Sequence, residues 1–177
     1  MTKDVETNGD LEFGGHPHAE SLALATTIDR TWLRTRGCSF VDIVQEYKAV
    51  EAEFLTRAGD DEEWTLEIKR RVAEALVREA HGTQDFDTCQ RYWNDLLRLG
   101  FTNTEIKCTM IWFYADSCRI KKKPDVGLSV LEPLIAEYEQ ALADPKSVEE
   151  GSDGYYQDEL ERMGRLRAKL KSQQGKL

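Results

Sequence analysis

The chain carries a gapless internal echo, and that echo limits what it can fold into more than any other feature. Glu67-Ile68-Lys69 returns 38 residues later as Glu105-Ile106-Lys107. At the same offset Asp87 meets Asp125, Trp93 meets Leu131, Leu96 meets Leu134 and Leu97 meets Ile135. Each copy reads as a long stretch with apolar residues three and four apart, a short polar turn, and a second such stretch. Apolar residues at this spacing line one face of a helix. A self-similar unit of this length is therefore a pair of helices. One pair cannot bury its own apolar faces, so the units must stack on one another.

Breaks and caps divide the chain into seven helices. The first runs over residues 19–36, with Leu22, Ile28, Trp32 and Leu33 as apolar contacts, and Gly37 closes it. Ser39, with Asp42 three residues on, caps a second helix that reaches residue 57, with Phe40, Ile43, Val44, Tyr47, Val50 and Phe54 on one face. Asp60 or Asp61 caps a third, ended by Gly82. Its two apolar stripes (Trp64, Ile68, Val72, Ala75, Leu76 and Leu66, Ala73, Val77, Ala80) call for packing on two sides. A fourth covers 85–99, with Phe86, Cys89, Trp93, Leu96 and Leu97 inward, and stops at Gly100. Thr102 and Glu105 form a capping box for the fifth, 103–121, which is apolar on nearly every side and so belongs at the centre. The sixth, to residue 143, opens at Pro124 and holds Pro133, where a kink is expected. A polar link precedes the last helix, 154–171, whose single apolar stripe and charged outer faces suit a closing cap.

The expected organisation is thus a disordered tail (1–17), one helical domain (18–172) and a flexible end (173–177). The domain holds hairpins at 19–57, 61–99 and 103–143 and the cap helix at 154–171. At 177 residues and 40% hydrophobic, the chain is long enough for one real core. Its formal charge of -9 repels a polyanion, which argues against nucleic acid as a partner. No apolar run approaches the roughly 20 residues needed to span a bilayer, and the first residues do not read as a secretory signal. Cys38, Cys89, Cys108 and Cys118 form no CxxC and no metal spacing. They read as buried free thiols in a reducing, cytoplasmic setting.

In outline the chain resembles the tetratricopeptide-repeat superfamily, over about residues 19–171 and best between Asp61 and Tyr138. Cys89 and Gly127 take the small position that opens the second helix of each unit. Val77 and Ala115 take the small site of the first helix, Leu76 and Tyr114 the large site before it, and Trp93 and Leu131 the aromatic site. The departures are a period of 38 in place of 34, no signature tryptophan, Ala80 and Cys118 at the tyrosine site, and Phe101 and Glu139 where a proline closes the unit. The resemblance implies an all-α fold: antiparallel hairpins stacked as a short right-handed solenoid with a C-terminal capping helix.

It also implies a concave face built by the first helix of each pair. Carried over, that face holds Arg71, Glu74, Arg78 and His81 from one unit and Thr109, Trp112, Asp116 and Arg119 from the next. Arg71, Arg78 and Arg119 suit a peptide carboxylate and Trp112 suits an anchor. Otherwise these residues are a solvated charged face around a buried tryptophan. His81, beside Gly82, is placed to meet the carbonyls ending its helix. His16 and His18 lack a third ligand for a metal. The Lys121-Lys122-Lys123 loop and the basic residues of the last helix read as solvated.

No nucleophile elbow, phosphate-cradling glycine loop or metal-spaced histidine pair is present. The expected function is therefore a non-catalytic adaptor, acting without cofactor or metal as a monomer or weak homodimer. It binds a protein or peptide on the concave face, with no role for nucleic acid or membrane. Two other readings stay open: an acidic, immunity-type inhibitor of a basic enzyme, and a helical enzyme or sensor with a small-molecule pocket using Trp112, Tyr114, Asp116 or Glu74.

Overall fold

The computed structural model describes residues 18–143 and 153–176. The expected disordered tail, His16 and most of the polar link lie outside the described residues. Within them the chain forms seven helices and no strand: α1 (His18–Arg34), α2 (Phe40–Ala58), α3 (Glu62–Thr83), α4 (Phe86–Leu99), α5 (Thr104–Ile120), α6 (Pro124–Ala143) and α7 (Asp153–Gln174).

Local chemistry sets these boundaries. Ser39, Asp61, Asp85 and Asn103 each accept a hydrogen bond from the backbone N–H three residues on, which satisfies a donor that a helix start leaves free. At Gly100 the chain takes φ 79°, a conformation that disfavours a side chain, and its N–H closes on Leu96 O at 2.8 Å. Two expected boundaries are corrected. Gly82 does not end α3, which continues to Thr83 and closes on Gln84 in the left-handed region. The cap of α5 is Asn103, not Thr102. Asn103 Oδ1 accepts from Ile106 N at 2.8 Å, while Thr102 is engaged by Glu74. At the far end, the expected flexible stretch from residue 173 is still helical at Gln173 and Gln174, and both side chains are hydrogen-bonded, to Arg119 O and to Asp125.

The echo reappears as an echo of burial. Val72 and Met110, Leu76 and Tyr114, Val77 and Ala115, Ala80 and Cys118, Trp93 and Leu131, and Leu96 and Leu134 are buried in both copies. So are Cys89 and Gly127, the small residues near the start of α4 and α6. Gly127 lets α6 sit close on its neighbours. A Cβ there would lie 3.0 Å from Leu170 Cδ2 and 3.2 Å from both Ala115 O and Cys118 Cβ. Leu97 breaks the pattern, being 59% exposed where its counterpart Ile135 is buried.

α1 departs most from expectation. Leu22, Trp32 and Leu33 face outward, whereas Leu24, Ile28, Thr31 and Thr35 face the core. Thr35 tolerates burial because its hydroxyl donates to Thr31 O of the preceding turn at 2.9 Å. Its methyl can then pack as an aliphatic group, which a reading of hydrophobic letters alone misses.

Contacts between helices follow a simple rule. Each helix touches its chain neighbours, and α1, α3, α5 and α7 also touch in succession. Among the described residues α2, α4 and α6 do not pack backbone against backbone, and α2 and α4 meet only through side chains such as Lys48 over the Tyr92 ring. α5 lies at the centre, against α3, α4, α6 and α7. Its Tyr114 ring stacks on Trp93 with centroids 4.7 Å apart and planes 6° from parallel. Among the described residues no helix is long and apolar enough to cross a membrane.

Candidate functional site

Seven of the eight residues expected on the concave face fall into two groups. Arg71, Glu74 and Arg78 of α3 line a groove of about 260 Å³ between α1 and the start of α5. Ala25, Ile28 and Asp29 of α1 form one wall, and Thr102, Asn103, Ile106 and Met110 form the other. His81, Trp112, Asp116 and Arg119 form a second group, where α3 meets α5. Thr109, half-buried, precedes Trp112 by three residues on α5.

Within the groove the three α3 residues do different things. Arg71 is held at both ends: its Nε donates to Glu67 at 2.5 Å and its Nη2 to Ser21 Oγ of α1 at 3.4 Å. Glu74 is buried and faces inward, accepting from Thr102 N at 2.9 Å and from Thr102 Oγ1 at 3.0 Å. That carboxylate positions the α4–α5 loop, and both its oxygens are occupied. Burial pushes its pKa up, which the two Thr102 hydrogen bonds only partly offset. Arg78 is under-used. Its nearest carboxylate, Glu79, is 3.9 Å away, beyond hydrogen-bond distance, and its Nε and Nη2 are buried with no acceptor.

In the second group His81 does not serve the end of its own helix as expected. Its Nε2 lies 3.0 Å from Asp116 Oδ2 of α5, and Arg119 Nε donates to the other oxygen of Asp116 at 2.5 Å. Burial alone raises the Asp116 pKa. The hydrogen bonds and charges of His81 and Arg119 outweigh it and bring the carboxyl down to about 2. The His81 ring packs edge-on against Trp112 at 5.7 Å and against Phe113 at 4.9 Å. Among the described residues no hydroxyl or thiol is hydrogen-bonded to His81, and the His81–Asp116 contact ties α3 to α5.

Three residues missed in the sequence complete the face. Trp32 of α1 has Arg36 at 4.0 Å and Arg78 at 5.6 Å from its ring centre. Arg162 of α7 lies 5.4 Å from the ring centre of Trp112, and pairs with Glu159 at 2.7 Å. The indole N–H of Trp112 and Nε of Arg162 are also buried without an acceptor. Two tryptophans, each flanked by cationic or imidazole groups, thus mark the face from α1 to α7. The four-residue step from Trp32 to Arg36 was a legible signal. The approach of Arg162 to Trp112 was not, since 50 residues separate them.

A second groove, of about 250 Å³, opens between α2, α3 and α4 beside Lys48, Lys69, Tyr92 and Arg98. There Lys48 is paired with Glu51 at 2.5 Å and Arg98 with Asp95, so those two charges are answered internally.

Among the described residues no group of three or more His, Cys, Asp or Glu side chains is arranged to hold a metal ion. No protein-family model matches the chain, and no curated protein or solved structure matches it significantly. The likeness to tetratricopeptide repeats therefore rests on the sequence echo alone.

Proposed function

We propose that this protein is a non-catalytic interaction module that binds a partner protein, through an extended or helical segment, on the face shared by α1, α3, α5 and α7. In this reading the helices pair as hairpins in a short tetratricopeptide-like solenoid, and α7 closes its end. The pattern of contacts supports the curvature this requires. α1, α3, α5 and α7 touch in succession, a pattern that fits a stack curved with these helices on the inside.

One observation carries the functional reading: the supply of unpaired donors on that face. Nε and Nη2 of Arg78, Nε1 of Trp112 and Nε of Arg162 are buried without acceptors, on three successive inner helices. A buried donor left unpaired costs about 1–3 kcal/mol. A cluster of them is explained if a bound molecule supplies acceptors after modest side-chain rotation. Tryptophan and arginine are also the side chains that most often dominate the energy of protein interfaces. The acidic chain as a whole disfavours a long polyanion, which leaves a protein segment as the fitting ligand.

The test is affinity capture from native cytosol with the wild type and with Arg71→Glu/Arg78→Glu, followed by mass spectrometry. Circular dichroism and melting first establish that the double variant is folded, because Arg71 also ties α3 to α1. A stoichiometric protein recovered with the wild type and lost with the variant is the expected result. Retention of every partner by the folded variant, or turnover of a substrate by the wild type, refutes the proposal.

A further inference from the structure

The turn between α1 and α2 carries a sequence pattern that the inner face does not use. It runs Arg34-Thr35-Arg36-Gly37-Cys38-Ser39-Phe40, with arginines five and three residues before the serine and a phenylalanine directly after it. Among the serines and threonines of the chain, Ser39 alone has arginine at both places. An arginine-directed protein kinase reads such a pattern by charge. Carboxylates in its cleft hold guanidinium groups at fixed steps before the acceptor hydroxyl, and an apolar residue is seated just past it.

The fold presents this stretch to solvent. Arg34, Arg36, Gly37, Cys38 and Ser39 are all exposed, and Thr35, between the two arginines, is buried. A Cβ added at Gly37 would meet nothing within 4 Å, so the turn stands clear of the rest of the chain. Both arginines are lightly held: Arg34 pairs with Glu46 at the surface, and Arg36 lies over the Trp32 ring, 4.0 Å from its centre. Exposed contacts of this kind are weak, so a kinase cleft can take over both side chains. The acceptor stretch must extend to enter a cleft. That asks for opening of the last turn of α1, a helix that packs, among the described residues, against α2 and α3 alone. Ser172 is the contrast. Arg167 and Lys169 stand five and three residues before it, but Gln173 follows it and it lies inside α7, whose backbone hydrogen bonds must break before that stretch can extend.

We propose that Ser39 is a phosphorylation site for an arginine-directed serine/threonine kinase using ATP. Ser39 Oγ forms a bond to the γ-phosphorus of ATP. The bond from that phosphorus to the bridging oxygen breaks, ADP leaves, and the hydroxyl proton passes to the kinase's base. The product changes the start of α2. Unmodified, Ser39 Oγ donates to Asp42 Oδ2 at 2.7 Å and accepts from Asp42 N at 3.3 Å. A dianionic phosphate cannot donate, and it sets a charge of about −1.5 to −2 beside the Asp42 carboxylate. Asp42 is driven off, and the phosphate takes the free N–H groups that open α2. The site stands whatever the inner face binds.

The full chain, incubated with ATP and the isolated catalytic domain of a kinase of this class, tests the site, and phosphopeptide mass spectrometry locates the phosphate. One phosphate on Ser39 of the native protein is expected, and none at that place in Ser39→Ala. Arg36→Gln and Arg34→Gln are each expected to lower the kcat/KM of phosphorylation about tenfold, as loss of one charge-assisted hydrogen bond does. Arg36 is exposed, so its variant tests the site even where Ser39→Ala, which also removes a helix cap, is destabilised. Phosphate on Ser172 in place of Ser39 overturns the proposal. So do equal rates for Arg36→Gln and the wild type, and so does modification of Ser39 only after the chain is unfolded in urea.

Discussion

Replacing Gly127 with alanine will destabilise the protein, and the same substitution at Gly164 will stabilise it. Both glycines lie inside helices, where alanine is intrinsically favoured by about 1 kcal/mol. Their surroundings set the sign. Around Gly164 an added Cβ meets nothing within 4 Å, so the propensity gain is realised in full. At Gly127 the added carbon meets Leu170 Cδ2 at 3.0 Å and Ala115 O and Cys118 Cβ at 3.2 Å. Carbon atoms prefer separations of about 3.5–4.0 Å. The Leu170 methyl can rotate away, but Ala115 O belongs to the backbone of α5. α6 must therefore lift from α5, and overpacking of this kind costs about 1–3 kcal/mol. Set against the propensity gain, the net loss is about 1 kcal/mol, or a fall of about 2–4 °C in Tm for a chain of this size. Gly164→Ala should raise Tm by a similar amount, and Gly127→Val should lower it well beyond the alanine variant. Calorimetry or circular dichroism melts at one protein concentration read all three. A rise in Tm for Gly127→Ala equal to that for Gly164→Ala would refute the idea that close approach of α6 fixes this glycine.

Other expectations can be checked in the same preparations. Glu74→Ala should cost about 2 kcal/mol by leaving Thr102 without its acceptor, whereas Glu74→Gln, able to accept from Thr102 N and donate to Thr102 Oγ1, should stay within about 1 kcal/mol in urea unfolding. Because the Glu74 pKa is raised, the stability it contributes is present below its ordinary value of 4.5 and is lost as pH rises through the folded value; Glu74→Gln should remove that loss. Asp116 has the opposite sign. Its contribution, about 2 kcal/mol, is fully present above the ordinary value of 3.8 and disappears as pH falls toward about 2, so Asp116→Asn should flatten the acid limb of a stability–pH curve. A native thiol titration with Ellman's reagent at pH 8 should find Cys38 alone reactive, since burial pushes Cys89 and Cys108 up to about 11 and Cys118 up to about 12; fast reaction of a second thiol before denaturation would contradict the packing of α4 on α5.

Helix positions were legible because caps and breaks are local chemistry. Asp85, Asn103 and Pro124 sit at or next to helix starts whatever surrounds them, and the boundaries read from them fall within a residue or two of those observed. The central place of α5 was legible from its apolar circumference. What failed was the direction of individual side chains where letters and environment disagree. Trp32 and Leu33 look like core residues, yet Thr31 and Thr35 are buried because a helix can satisfy a threonine hydroxyl internally. Glu74 and Asp116 look like solvated charges, yet each is buried against a partner distant in sequence, Thr102 in one case and His81 in the other. The candidate face was legible only in part for the same reason: Arg162 comes to Trp112 through packing that no local pattern encodes.

The sparse attachment of α1 has a kinetic consequence. Among the described residues α1 is held by α2 and α3 alone, whereas α5 is enclosed by four helices. Among the described residues no helix reaches beyond its second neighbour in the chain, so cooperativity passes along the molecule step by step. Amide exchange should then be fastest in α1 and slowest in α5, with α1 fraying before the rest melts. Ala25, Ile28 and Asp29 leave with it. The lifetime of that wall of the groove is therefore the lifetime of one edge helix. A ligand that bridges α1 to α3 and α5 would register first as slowed exchange in α1 and only secondarily as a rise in global stability.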